Sequence, residues 1–339
     1  MATISDVAAR AGVSISTVSY VLSGKRSISA ATAARVEKAI NDLGYRPNAG
    51  ARMLASASTK LLAFSAPMHS ETYPMSFMAF VLSVVGAARD QGYDVILLTE
   101  SGEEAAEAIR RVVGTELVDG IVMMDVALDD PRVEVIRSLD VPAVVIGLPE
   151  DTDDLACVDL DFEAAGRMCA DRFADLGHRS VGLIGHSTAL YERRMGFAWR
   201  FREAFLGRAR ERGLEAIFVP TDGEDALGRA FDECPGVTGL VLDCNEFEVS
   251  AALASARAKG LEDSIGRPGG LSVLVACACF DTDRFPVELD EVPLDATRSG
   301  LKAVDKLLAL MNGGAPSVEL YAPEYGERGS VQTASVDVM

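Results

Sequence analysis

No apolar stretch of this chain is long enough to cross a bilayer. The longest uninterrupted run, Val273–Phe280, falls far short of the ~20 residues that a spanning helix needs. The opening Met-Ala-Thr-Ile-Ser-Asp has neither the positive nor the apolar region of a signal peptide, so a soluble cytoplasmic protein with no membrane partner is expected. Cysteine is sparse. The six stand at 157, 169, 234, 244, 277 and 279, none with CxxC spacing, and most lie in apolar stretches. They read as reduced core residues rather than a disulfide framework. Histidine is scarcer still, with His69, His178 and His186 placed at no metal-ligand spacing. HExxH, GxxxxGK[ST] and GxGxxG do not occur, so zinc-protease, P-loop and dinucleotide sites lack their signatures. Neither a metal nor a cofactor is expected.

What is present is uneven. The 339 residues are 49% hydrophobic and 24% charged, a globular composition long enough for two or three domains, with a net charge of −19. Residues 1–60 nevertheless carry 8 Lys+Arg against 3 Asp+Glu, which leaves 24 basic and 48 acidic residues for 61–339. A basic head on an acidic body is what a chain shows when one end meets nucleic acid, although a positively charged small domain without a partner would look the same. The acidic body itself is a poor match for DNA or an anionic membrane.

The head reads as three helices. Thr3-Ile-Ser-Asp6 has capping-box spacing and Gly12 is a natural stop, giving a first helix with Ile4, Val7, Ala8 and Ala11. After a tight turn at Gly12-Val13, Ser14 caps a second helix through Leu22, whose Val18, Val21 and Leu22 have core spacing. A third runs from near Ser29 to Gly44 with Val36, Ala39, Ile40 and Leu43 on one face. Two short helices joined by a tight turn and braced by a third form a helix-turn-helix. Ile15, Ser16, Thr17, Ser19 and Tyr20 are left outside, near the N-terminus of the second helix, where such helices read base edges. Lys25 and Arg26 follow in the loop, placed for phosphates. Next, Pro47 breaks the third helix, and Asn48 can cap a short helical segment over Ala49–Ala55. Under two turns long, with Gly50 inside it, that segment would form only on docking, with Leu54 as an apolar wedge and Arg52 near phosphates. An ordinary interdomain linker is the plainer reading.

Ile4-Ser-Asp-Val-Ala-Ala-Arg-Ala-Gly-Val-Ser, then Thr17-Val-Ser, Leu43-Gly-Tyr-Arg-Pro-Asn and Ala51-Arg-Met-Leu closely resemble the lactose repressor (LacI/GalR-type) family of bacterial transcription regulators. The resemblance implies that the second helix enters the major groove and that paired hinge helices open the minor groove with a leucine. Base contacts would then fall to Ile15, Ser16, Tyr20 and the wedge Leu54. Ser14, Thr17, Ser19, Lys25, Arg26 and Arg52 would hold the DNA backbone. Gly50 departs from the alanine or valine usual in the family, which makes hinge folding costlier.

Beyond the Ser-Ala-Ser-Thr linker at 56–59 the body alternates short apolar runs with amphipathic helices. Leu61–Ala66, Tyr93–Leu98, Gly120–Met124 and Ala143–Gly147 read as buried parallel strands, with helices over Ser76–Gln91 and Glu103–Val113. Ser180–Gly185, Glu215–Val219, Gly239–Leu242 and Leu271–Phe280 form a second series. Two βαβ series of this length predict two doubly wound lobes facing one cleft, and Leu301–Met311 is expected to return the chain to the first lobe. Gly185-His-Ser-Thr-Ala189 has nucleophile-elbow spacing with Ala in the last place, but no histidine follows Ser187, so the hydrolase reading fails and an enzyme is not expected.

Leu176-Gly-His-Arg179, Gly182-Leu-Ile-Gly185, Arg193 with Gly196-Phe197, and Phe280-Asp281 resemble that family's effector domain, itself similar to periplasmic sugar-binding proteins. By that resemblance Arg193 and Asp281 are the effector-binding arginine and aspartate. Phe77 is placed to supply a ring face and Asp161 is a further candidate. Each has a plainer reading: an Arg193–Glu192 surface pair, a turn aspartate at 281, a core Phe77. Trp199 reads as core. Gly147 stands where many relatives carry a cleft-facing aspartate.

The expected architecture is therefore α/β. A helix-turn-helix head (1–47) and a hinge helix with linker (48–59) precede two doubly wound lobes of periplasmic-binding-protein type (60–339). The expected function is a ligand-responsive regulator, a repressor, binding a pseudo-palindromic double-stranded operator as a homodimer under control of a small molecule, a sugar or sugar derivative. A chain ending at Met339 without a heptad tail favours a dimer over a tail-tethered tetramer. The alternative is a solute-binding or sugar-processing protein with a non-DNA-binding head. The former should carry a signal peptide, and the latter a catalytic set that the sequence does not show.

Overall fold

The computed structural model describes residues 2–23, 28–45, 58–223 and 225–334. The chain divides into two units, residues 1–61 with 117–119, and residues 62–116 with 120–339.

In the first unit, α1 (Ile4–Ala11) opens on the expected capping box: the Thr3 side chain accepts from the Asp6 amide, and Asp6 accepts from the Thr3 amide at 2.8 Å. It ends at Gly12, whose φ of 66° is the left-handed conformation that a side chain would strain. The Ser14 hydroxyl accepts from the Thr17 amide at 3.2 Å and so caps α2 (Ile15–Ser23). Ser29 does the same for α3 (Ala30–Leu43), which stops at Gly44 in the left-handed region. Val7, Ala8, Ala11, Val18, Val36, Ala39 and Tyr45 close a small core. Leu43, expected in that core, is instead exposed, and Tyr45 takes the place at its edge. One carboxylate gathers the chain behind the linker. Asp119 accepts from the Ser58 hydroxyl, from the Thr59 amide at 2.6 Å and hydroxyl at 2.8 Å, and from the Lys60 amide at 2.9 Å. Burial alone would raise its pKa, but these donors outweigh it and hold the carboxyl below its ordinary value. The hinge positions Arg52 and Leu54 and the loop cations Lys25 and Arg26 lie outside the described residues.

The body contains two parallel sheets. In the first lobe β1 (Leu61–Ser65), β2 (Asp94–Leu98), β3 (Gly120–Met123), β4 (Ala143–Ile146), β5 (Ala156–Leu160) and β11 (Val318–Tyr321) lie in the order β11-β5-β4-β3-β1-β2. In the second, β6 (Ser180–Gly185), β7 (Glu215–Pro220), β8 (Gly239–Leu242), β9 (Ser272–Ala278) and β10 (Asp290–Pro293) lie as β10-β9-β8-β6-β7. Leaving β11 aside, both lobes have the 2-1-3-4-5 order of a doubly wound sheet, so the internal duplication is far clearer in topology than in residues. β5, β10 and β11 were not among the expected strands. β9 stops short of the expected Phe280, since Cys277 adopts a φ of 51°.

The helices that cover these sheets in chain order are α4 (Pro74–Asp90), α5 (Gly102–Gly114), α6 (Pro131–Ser138), α7 (Phe162–Asp175), α8 (Thr188–Glu192), α9 (Gly196–Glu211), α10 (Ala226–Glu233), α11 (Glu246–Ala258) and α12 (Ala296–Met311). α7 and α9 meet closely at Gly166, where an added Cβ would lie 2.5 Å from the Phe201 carbonyl oxygen. α12 returns to the first lobe and buries Ala303, Val304 and Leu307 with Leu62, Phe64 and Val122. The chain crosses between lobes at 160–162, 294–296 and 321–325. Trp199 is half-buried rather than core, stacked by the Arg202 guanidinium at 4.5 Å. Of the described helices, none is long and apolar enough to cross a membrane.

Candidate functional site

On α2, Ile15 is 49% exposed and Tyr20 37%, with Ser14 and Ser16 also exposed and Thr17 and Ser19 half-buried. The face opposite Val18 is therefore solvated, as a helix that reads base edges requires. An exposed Ile at the first turn is a poor use of an apolar side chain unless something covers it.

In the body, a cavity of about 370 Å³ sits at the carboxyl ends of the strands of both sheets, where doubly wound folds bind ligands. The β1–α4 connection and α4 supply Glu71, Tyr73, Phe77 and Phe80; Asp125 follows β3, Gly147 follows β4, and Asp159 and Phe162 stand at the end of β5. The second lobe supplies His186, Ser187, Arg193 and Phe197 after β6, Cys244 and Glu248 after β8, and Cys277, Cys279 and Phe280 at the end of β9. The two lobes also touch at its rim. Arg193 pairs with Glu71, the Tyr73 hydroxyl donates to Glu246 at 3.2 Å, and Tyr73 meets Phe247 edge to face at 5.6 Å.

The floor is held from below by a buried arginine. Arg132, 2% exposed, donates Nε and Nη2 to the two Asp130 oxygens at 2.9 and 2.7 Å. It also donates to the carbonyls of Ser65 at 3.2 Å, Met124 at 3.1 Å and Asp125 at 2.9 Å, and to the Ser65 hydroxyl at 3.1 Å. The ends of β1 and β3 are thus joined through one guanidinium, which fixes Asp125 in a left-handed conformation with φ 56°.

Two carboxyls and an imidazole at the cavity are displaced from their ordinary values. Burial pushes the Asp159 carboxyl up to about 8 and the Asp125 carboxyl up to about 6. For His186, burial lowers the pKa, but Asp243 at 3.6 Å, with Glu248 and Asp125, more than reverses this and the imidazole ends above its ordinary value. The buried Ser187 Oγ and Asp243 Oδ2 have no hydrogen-bond partner among the described residues.

Of the four effector candidates, the structure brings Arg193 and Phe77 together in the cavity and leaves two out. Asp161 does not line it; its carboxylate caps α7 by accepting from the Ala164 amide at 2.8 Å. Asp281 is exposed and caps a short 3₁₀ turn by accepting from the Asp283 amide at 3.0 Å. In both cases the first residues past a strand turn back to cap the next element, while the strand end itself faces the cleft. Arg193 pairs with Glu71, not with Glu192. Asp125, Asp159, His186 and the aromatic lining other than Phe77 were missed, although the rule that ligands sit at strand carboxyl ends pointed to Asp125 directly after Gly120–Met124. His178 is a core residue, bonded to the Thr238 hydroxyl at 2.7 Å and the Gln332 carbonyl at 3.0 Å. The described residues contain no group of three side chains able to hold a metal ion.

A helix-turn-helix with a solvent-exposed face on its second helix, followed in the chain by a two-lobed body around a ligand-sized cavity, defines a DNA-binding transcriptional regulator with a periplasmic-binding-type domain. Comparison with known proteins gives the same result. Residues 3–48 match the family described as bacterial regulatory proteins, lacI family, and residues 59–262 match periplasmic binding proteins and sugar binding domain of LacI family. The HTH-type transcriptional regulator CelR of Thermobifida fusca is 30% identical over 271 residues, 76% of this chain and 78% of that protein. The chain belongs to the LacI family of bacterial regulatory proteins. Among solved structures, the lac repressor dimer bound to operator and the anti-inducer ONPF superposes with a TM-score of 0.80 at 22% identity, covering 98% of this chain and 99% of the repressor. A CelR–cellobiose complex superposes at 0.65 and 22% identity, covering 97% of this chain and all of that one.

Proposed function

We propose that the protein is a cytoplasmic repressor that binds a pseudo-palindromic operator as a homodimer and whose DNA affinity is set by a small polyhydroxylated molecule in the interlobe cavity. The observation that carries this reading is the cavity itself, contributed to by both lobes and bridged at its rim by Arg193–Glu71 and Tyr73–Glu246, so that its occupancy biases the lobe arrangement. An effector acts only through such a difference in affinity between two states. The relative solved with cellobiose supports a sugar. In this reading Arg193 and Phe77 contact the effector, Ile15, Ser16 and Tyr20 read bases, Leu54 wedges a base step, and Ser14, Thr17, Ser19, Lys25, Arg26 and Arg52 hold the backbone. Exposed Met75, Met78 and Leu82 form an apolar stripe along α4 that suits a second copy of the chain, related by a two-fold axis. No catalytic role is assigned to any residue.

Selection of random duplex DNA by the purified full-length protein tests this. Recovery of an inverted repeat with a flexible central pyrimidine–purine step is expected. No enriched sequence, at low salt and with pooled sugars and purines both present and absent, would overturn the operator reading.

A further inference from the structure

The cavity walls have a charge imbalance that narrows what can occupy them. Among the side chains that line it, the cations are Arg193 and His186, and both face an anion already: Arg193 pairs with Glu71, and His186 lies 3.6 Å from Asp243. The cations nearest from outside are also committed. Arg132 is held by Asp130 and three carbonyls, and Arg200 reaches the Pro149 carbonyl at 2.9 Å and Glu163 at 3.4 Å. Among the described residues Asp125 and Asp159 form no ion pair, although Arg132 and His186 act on the former and Arg200 on the latter from farther off. Asp159 lines the cavity and is only 6% exposed, and among the described residues the one hydrogen bond its carboxylate accepts is from the Leu160 amide at 3.0 Å. A buried carboxylate without a cation is unfavourable in its charged form, which is why burial pushes both groups toward protonation. The same cavity is lined by the aromatic side chains of Tyr73, Phe77, Phe80, Phe162, Phe197 and Phe280. Carboxylates with aromatic rings around them are a receptor for an organic ammonium group, which takes hydrogen bonds and charge from the former and cation–π attraction from the latter. An anionic ligand would meet these carboxyls with no cation left to receive it except through Arg193 Nε, a single donor without a partner.

Resting on the reading of this cavity as the effector site, we infer that the effector is an amine-bearing polyol, such as an amino sugar, with its ammonium group at Asp159 and its ring against the aromatic lining. The Arg193 Nε and Ser187 Oγ that lack partners are then left to take its hydroxyls.

The test is thermal unfolding and calorimetric titration of the full-length protein with matched trios: glucosamine, glucose and glucose 6-phosphate, and the corresponding galactose and mannose sets. Within at least one trio the amine is expected to bind best and the phosphate worst. Asp159→Asn, which is isosteric and keeps a neutral group where burial already favours one, should weaken the amine by about tenfold or more while leaving the neutral sugar within about twofold. Asp125→Asn, at a cavity carboxyl that Arg132 and His186 already offset, should cost the amine less. A neutral or phosphorylated sugar binding as tightly as its amine overturns the inference. If that binding is lost in Arg193→Ala, the cavity remains the effector site and only the amine assignment falls. Binding insensitive to Arg193→Ala, Asp125→Asn and Asp159→Asn removes both. Absence of any amine-dependent response across the three trios also overturns the inference, and operator selection with pooled sugars then decides the cavity's role separately.

Discussion

Replacing Arg132 by Met would test how the cavity floor is held. The substitution keeps an unbranched side chain of comparable reach on α6 but removes all six donations to Asp130, Ser65, Met124 and Asp125. What remains is a nearly buried Asp130 carboxylate without its cation and three strand-end carbonyls stripped of one donor. Breaking one partner of a buried ion pair costs about 3–5 kcal/mol. At ~2–4 °C per kcal/mol for chains of this size, the melting temperature should fall by roughly 10 °C. Thermal and urea unfolding of the purified variant measure this directly. Asp130 also accepts from the Arg132 amide at 2.9 Å and the Ala127 amide at 3.3 Å, so Asp130→Asn on the Met background keeps the helix cap while removing the orphaned charge. The double variant should recover part of the loss, with a coupling energy of about 1–3 kcal/mol in the cycle. A loss below about 1 kcal/mol for Arg132→Met, or strict additivity, would refute the claim that the guanidinium joins β1 to β3. The functional consequence follows from the same contacts. Without Arg132 nothing pins the Asp125 carbonyl, and the left-handed turn that presents its carboxyl to the cavity should relax, weakening effector binding along with stability.

Two further outcomes can be measured. Asp119→Asn should destabilise the protein by about 1 kcal/mol at neutral pH, a figure discounted because the carboxylate is largely solvated. Because its folded-state pKa is depressed, the wild-type advantage is present above the ordinary aspartate value and lost as pH falls through the carboxylate range; an advantage that grew on acidification would contradict the sign. Gly166→Ala should be destabilised by about 1–3 kcal/mol, because the new methyl group meets the backbone of Phe201 and Phe205 between α7 and α9. Gly207→Ala, on α9 with nothing within 4 Å of its added Cβ, is the control and should be neutral or gain up to about 1 kcal/mol.

Much of this architecture can be read from residues alone, and the failures share a physical origin. The head is legible because its caps are local: Thr3, Ser14, Ser29, Gly12 and Gly44 act on backbone groups within a few positions. The central strands are legible because strands buried on both faces are continuous apolar runs. β5 and β10 escape because each carries a buried aspartate, Asp159 or Asp290, where an apolar residue would mark a buried strand. Asp290 accepts from Tyr325, Arg328, Gly329 and Ser330, far along the chain. The edge strand β11 alternates exposed and covered positions. At the site, periodicity locates strand ends but does not say whether a carboxylate there faces the cleft or turns back to cap a helix. That distinction separates Asp159 from Asp161 by two residues.

The three crossings between lobes also set an order of events during synthesis. The first lobe is not contiguous: Ala303, Val304 and Leu307, fully buried against its sheet, and the edge strand β11 lie beyond the whole of the second lobe's sheet. Ala296 emerges 136 residues after Leu160. At about 5–20 residues per second the ribosome takes roughly 7 to 27 seconds to close that gap. Through that interval the nascent first lobe presents an apolar face with its covering helix still unmade, while the second lobe's sheet is being completed ahead of it. The earliest-made half of the body is thus completed only after the other lobe's sheet has been made, and residues 325–332 then return to seal that second lobe.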